Sequence, residues 1–244
     1  MSTHTPHLSK SDLQTDAVTQ ELKKGFQWTQ AHAKATVMAL MTFIAIGIVY
    51  SGLKYLSDKK AASSQEVYYK VEKEYLKKKT ESQGTGPEAS AVALDYEKDL
   101  AALVKKFNDV IDSDPGSNAA LMAALNVSEI AFQYHKDDVA LEAINKAKPG
   151  TSLLSAMLLS EKATAFANKN DCKSAVETWS KVLTTPQASA IKSQILLKQA
   201  LCFESLNEIT KAEENYNKIV ADSKDGALGK TAEKYLRLLK TKVN

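Results

Sequence analysis

Histidine, cysteine and paired carboxylates are the side chains that most often do chemistry, and this chain of 244 residues holds few of them in useful patterns. Its four histidines stand at 4, 7, 32 and 135. General-base catalysis needs an imidazole within hydrogen-bond reach of a nucleophile or of the proton it removes. Three of the four precede or adjoin an apolar run, and His135 falls where a helical pattern turns. His4 and His7 offer two imidazoles but no third ligand, and a zinc site needs three or four. Asp112 with Asp114, and Glu213 with Glu214, fall on turns or solvated helix faces. No glycine-rich phosphate loop or nucleophile elbow occurs. Asn126-Val127-Ser128 has the spacing of a glycosylation acceptor but lies inside a helical pattern. The chain therefore reads as a non-enzyme with no cofactor, no metal and no small-molecule substrate. Arg237 is its one arginine, and 32 basic against 29 acidic residues leave a net charge of +3. That balance excludes a nucleic-acid partner on bulk charge.

Cys172 and Cys202 are too few for a disulfide scaffold or a four-thiolate zinc site. Cys172 opens one helix, and Cys202 lies near the end of the next antiparallel one, so both fall toward the same end of a helical stack. They either bond, given Cα atoms within about 7 Å and an oxidising compartment, or stay reduced as small hydrophobes.

The elements that position these residues are helices. Glycine (9) and proline (5) are scarce, which suits long uninterrupted helices. Residues 35–53, ATVMALMTFIAIGIVYSGL, lie between Lys34 and Lys54 without a charge. At ~1.5 Å per residue that helix covers roughly 28 Å, close to the ~30 Å bilayer core. Trp28 precedes it, and Tyr50 and Tyr55 mark its other end as an interfacial belt would. The run is too long for a signal-peptide core. Lysines flank both ends, so the charges do not set an orientation. Small residues recur at Ala35–Ala39 and Gly47–Ser51. Before the span, Leu13, Val18, Leu22 and Phe26 make a weak apolar stripe, expected as a helix leading into the membrane along its surface.

After the span, Val67, Tyr68, Val71, Tyr75 and Leu76 recur at helical spacing, up to a Gly/Pro/Ser-rich linker at 80–91. A second helix runs from Val92 through Leu103 and Phe107 to Asp114-Pro115. Self-similarity then sets in. Ala140–Ile144–Ala147, Ala175–Trp179–Val182 and Ala212–Tyr216–Ile219 repeat one pattern at spacings of 35 and 37. Each follows a helix carrying an aromatic: Phe132 and Tyr134, Phe166, Phe203. Turns are expected at 135–137, 168–171 and 206–208. Alanine lets two antiparallel helices approach, and the bulky residue four positions on fills the gap between them. One such hairpin cannot bury its apolar face alone, so hairpins stack. The spacing is that of a tetratricopeptide repeat. The fold class is all-α: one transmembrane helix and then an α-solenoid. Gly226 and Gly229 precede a closing helix at 231–240.

This arrangement resembles the YfgM-type ancillary subunits of the bacterial Sec translocon. The residues that carry the resemblance are LKKGFQWTQAHAKA entering the span, KYLSDKKAASSQEVYYKV leaving it, and SNAALMAALNVSEIAFQYHKDDVALEAI. It implies a cytoplasmic tail over residues 1–34, an inner-membrane span over 35–53 and a periplasmic repeat domain over 54–244. It also implies Sec translocon subunits and a membrane-anchored periplasmic chaperone as partners, with the protein aiding the hand-over of exported chains. A scaffold for cell-envelope or cell-division machinery is the alternative, and a cytosol-facing receptor of inverted topology is a third reading.

In such arrays the first helix of each hairpin lines a concave face that binds peptides. Here that register names Met122, Leu125, Glu129 and Phe132, then Met157, Ser160, Thr164 and Asn168, then Gln194, Leu197, Leu201 and Glu204. No lysine falls on it, so capture of a carboxylate is not expected there. These residues either form an open groove for apolar segments or are core, covered by the helix around Tyr68–Leu76.

Overall fold

Alanine at the expected positions brings the helices together. The computed structural model describes residues 17–83, 93–223 and 225–243, with side chains from 21–82, 93–223 and 225–241. Ten α-helices occur among the described residues, and no strand. The tail segment with His4, His7 and Leu13, and most of the linker, lie outside them.

The first of two compact units ends at Asp58. It holds α1 (Ala17–Ala31) and the start of α2 (Ala33–Gln83). Leu22, Phe26, Phe43 and Ile48 are all exposed, and no part of the apolar window of α2 is buried within the protein. By length and composition α2 is long and apolar enough to cross a membrane. A single turn residue, His32, separates α1 from α2. The His32 amide donates to the Trp28 carbonyl and the Thr36 amide to the His32 carbonyl, both at 3.0 Å. From Ala17 on, the segment expected as a leader is a helix whose hydrogen bonding runs on into α2.

The second unit starts at Lys59. After a π-helical turn (Tyr96–Leu100) come α3 (Ala101–Ser113), α4 (Asn118–Gln133), α5 (Asp137–Lys146), α6 (Leu153–Asn168) and α7 (Cys172–Leu183). A 3-10 turn (Pro186–Ile191) leads to α8 (Lys192–Ser205), α9 (Ile209–Asp222) and α10 (Ala227–Val243). Gly229 lies inside α10 and does not precede it. From α3 on, each helix packs on the next in sequence, and α4 also packs on α6 and α6 on α8. That near-neighbour order is the mark of a solenoid.

All nine residues of the repeated triplets are buried. Facing them, Ser128, Ala163 and Ala200 recur at the same spacings of 35 and 37 and are likewise buried. Three apolar clusters result. The first gathers Phe107, Val127 and Ile144, the second Ala163, Trp179 and Ile195, the third Phe203, Tyr216 and Leu239.

Helix α2 does not merely connect. Ser64, Tyr68, Val71 and Tyr75, spaced four, three and four, are buried. The Tyr68 ring lies 6.2 Å from Phe107, and Tyr75 meets the same ring edge-on at 6.3 Å. Lys106 donates to Glu74 at 2.6 Å. The end of α2 thus meets α3 through long side chains, more loosely than the paired helices of the later hairpins meet each other.

The three hairpin turns share one device. His135, Asn170 and Asn207 adopt φ of 54°, 63° and 59°. In each, the next amide reaches back to the helix: Lys136 to Ala131, Asp171 to Phe166 and Glu208 to Phe203, at 2.8, 2.9 and 2.8 Å. This is a Schellman ending, which favours glycine, then asparagine, at the left-handed position. Histidine is the poorest fit of the three. His135→Gly is expected to raise stability by roughly 0.5–1 kcal/mol, with a smaller gain for Asn170→Gly. A thermal melt checks this, and an unchanged or lower midpoint for His135→Gly contradicts it.

Candidate protein-binding face

The face is built from the exposed edges of α4, α6 and α8. On α4, Met122, Leu125 and Phe132 are half-buried, and Met122 and Leu125 pack against the cluster that contains Tyr68, Val71 and Tyr75. Glu129 is exposed and accepts from Lys79 of α2 at 2.8 Å, a bond that holds the ammonium above its usual range. Asn126 donates its side-chain amide to the Tyr68 hydroxyl at 3.0 Å. Burial first, and then the Glu72 carboxylate, push the Tyr68 phenol up. The start of the face is thus fastened to α2.

On α6, Met157 and Thr164 are half-buried and Ser160 is buried. Asn168 is exposed and donates to Asp137 of the preceding hairpin at 2.7 Å. On α8, Leu197 is half-buried, Gln194 is exposed, and Leu201 keeps 39% of its surface. Glu204 accepts from the Tyr216 hydroxyl at 2.7 Å. That tyrosine is pushed up by burial and then by the same carboxylate.

One expectation is corrected. The face does hold a lysine. Lys198 donates to the Thr164 hydroxyl at 2.9 Å and reaches Glu161 at 3.4 Å. It follows Leu197 on α8, and its long stem lets the ammonium lie across the gap to α6. Register counting assigned the face to the neighbouring positions and so passed over it.

Beside Lys198 a cavity of about 270 Å³ opens between α6, α7 and α8, with Thr164, Asn168 and Leu201 in its lining. Cys172 and Cys202 stand in the same wall and are joined as a disulfide, with Cα atoms 5.1 Å apart. Of the two sequence alternatives, the bonded one is the arrangement in the structure. Behind them Gln199 donates to the Val176 carbonyl and to Ser180, and accepts from Asn215 at 3.0 Å. This buried network ties α7, α8 and α9. Nothing in the repeat pattern announces it, since Gln199 and Asn215 read as surface residues. A smaller cavity of about 190 Å³ lies at the opposite end of the α6–α7 hairpin, bounded by Ser155, Leu159 and Val182.

The remaining candidates for chemistry are dispersed. His135 is exposed in its turn. Asp112 faces Lys146 at 3.7 Å, and Asp114 faces Lys60 at 3.9 Å. Among the described residues no three His, Cys, Asp or Glu side chains gather as a metal site requires.

No protein-family profile and no curated relative matches the sequence. A solved structure described as the crystal structure of MamA aligns with 62% of this chain and 96% of its own. The identity is 17% and the TM-score 0.43.

Proposed function

We propose that the chain is a membrane-anchored, non-enzymatic adaptor that binds other proteins along the inner face of its hairpin stack. The observation that supports this best is the row of half-buried Met122, Leu125, Met157 and Leu197 ending at the more exposed Leu201. Methionine and leucine give an adaptable apolar surface for segments of varied sequence. The apolar window of α2, unburied within the protein, supports an anchor over residues 35–53.

The same reading places the repeat domain outside the cytoplasm, in the periplasm of a bacterial cell, with residues 1–34 inside. A disulfide supports that side, because cytosolic thiols are kept reduced. By its resemblance, the adaptor works beside the Sec translocon with a membrane-anchored periplasmic chaperone and helps pass exported chains onward.

A photo-crosslinker at the Leu201 position of the membrane-embedded protein tests this. Translocon subunits and a periplasmic chaperone should be captured. Leu197→Glu, which puts a charge in the apolar row, should cut their yield by roughly tenfold, a change of about 1.4 kcal/mol in binding. Capture of division or wall-assembly proteins in their place would sink the translocon assignment and favour a scaffold.

A further inference from the structure

We propose that the Cys172–Cys202 disulfide is a redox latch on the cavity between α6, α7 and α8. Its consequence for a bound segment rests on the groove reading above, but the latch itself is readable without any partner. The first turn of α7 has little else to hold it to α8. Lys173 is exposed, and Cys172 and Ser174 are only half-buried. The Asp171 carboxylate caps the Ser174 amide at 3.1 Å, a bond within the turn. Tertiary attachments begin further along α7, where Val176 and Ser180 accept from Gln199 and Trp179 donates to the Ser160 carbonyl at 3.2 Å. The disulfide is therefore the brace for residues 172–174, and Cys172 itself walls the cavity that Leu201, Thr164 and Trp179 also line.

The two sulfurs differ in access. Cys202 is buried and Cys172 half-buried, so a dithiol reductant attacks Cys172. Its thiolate bonds to the Cys172 sulfur, the Cys172–Cys202 bond breaks, and Cys202 leaves as a thiolate that then takes up a proton. The second thiol of the reductant closes onto the first and frees Cys172. Two electrons and two protons pass to the protein, and the reductant ends as a disulfide. Lys198, one helical turn before Cys202, lines the same cavity, with its ammonium on Thr164 and Glu161 of α6. With the bond open, the start of α7 swings free while the Trp179 and Gln199 attachments hold the rest.

The full chain carrying Trp28→Phe keeps Trp179 as its one tryptophan. In detergent micelles, acrylamide quenching of Trp179 and hydrogen exchange of amides 173–176 are compared before and after dithiothreitol. Before reduction no free thiol should titrate. After it, quenching should rise about threefold and exchange by about tenfold or more, with helical circular dichroism unchanged, as local opening requires. Cys172→Ser/Cys202→Ser in the same background should match the reduced protein with or without the dithiol. Unchanged quenching and exchange, or a double variant as protected as the oxidised protein, overturns the latch, because the bond is then a passive link. Loss of helix on reduction also overturns it, because the bond then holds the whole stack. Opening at Trp179 with Leu201 crosslinks equal in both redox states upholds the latch and removes the groove as the docking place.

Discussion

Trp179→Ala should destabilise the repeat domain by about 3–5 kcal/mol, the range for emptying a fully buried aromatic site. Trp179 is the largest fully buried side chain in the protein, with 1% of its surface exposed. It fills the gap that Ala163 and Ala175 leave between α6 and α7, and its indole nitrogen donates to the Ser160 carbonyl. Truncation removes the ring and leaves a space whose walls are helix backbones, which collapse poorly. The loss should not spread evenly. Each hairpin touches mainly its neighbours, so a stack weakened at the second cluster divides there. Hydrogen exchange should rise first in α6 and α7 and last in α3 and α4. Trp179→Phe keeps most of the volume and should cost about 1–2 kcal/mol less than Trp179→Ala. Denaturant titration of the detergent-solubilised protein, read by circular dichroism, gives the totals. A midpoint for Trp179→Ala within error of the unaltered protein would show that the middle hairpin does not limit the stack.

How much of this was legible before any coordinates follows from the kind of signal each feature leaves. The triplet with Trp179 at its centre repeats because hairpin contacts are local, so a fixed spacing in sequence becomes a fixed contact in space. The turns were legible for the same reason. His135, Asn170 and Asn207 sit at one position of the repeat, although their shared left-handed backbone is visible only in the fold. The packing of α2 on α3 was harder. The Ser64–Tyr68–Val71–Tyr75 stripe of α2 was present in the sequence. The apolar span before it and the linker after it hide the pairing with α3. The candidate face was legible as a row of helix positions, not as a set of partners. Asn168 turns to Asp137, and Glu129 is engaged by Lys79 from the end of α2. Lys198 was missed because repeat register predicts where a Cβ points, whereas a four-carbon stem carries its charge to the next helix. The Gln199–Asn215 network was beyond reach, since two amides two helices apart leave no periodic trace.

The second large effect is expected at Phe107. Its ring is wholly buried and lies against Tyr68 and Tyr75 of α2. Phe107→Ala should cost about 3–5 kcal/mol, part of it the ring–ring geometry that area alone does not count. What separates this site from any other core position is where the cost falls. The described polar contacts of residues 64–79 with the array are the Ser64–Ser113 and Lys106–Glu74 bonds on α3, the Lys78–Asp99 pair, and the Asn126–Tyr68 and Lys79–Glu129 bonds on α4. The three ion pairs are partly exposed, and such pairs contribute about 0–1 kcal/mol each. The aromatic cluster therefore carries most of the attachment of α2 to α3 and α4. Without Phe107, the stretch 64–75 should exchange its amides and be cut by trypsin at Lys70 and Lys73, while the Trp179 and Tyr216 clusters keep their protection. Tyr68→Phe is the finer probe, since it keeps the ring and removes the hydroxyl that Asn126 and Glu72 share, for about 1–3 kcal/mol. If Phe107→Ala instead loosens all three clusters together, the array is one cooperative body and α2 is part of its core. If it loosens 64–75 alone, the end of α2 joins the repeats mainly through the aromatic cluster at Phe107 and can be released from them without unfolding them.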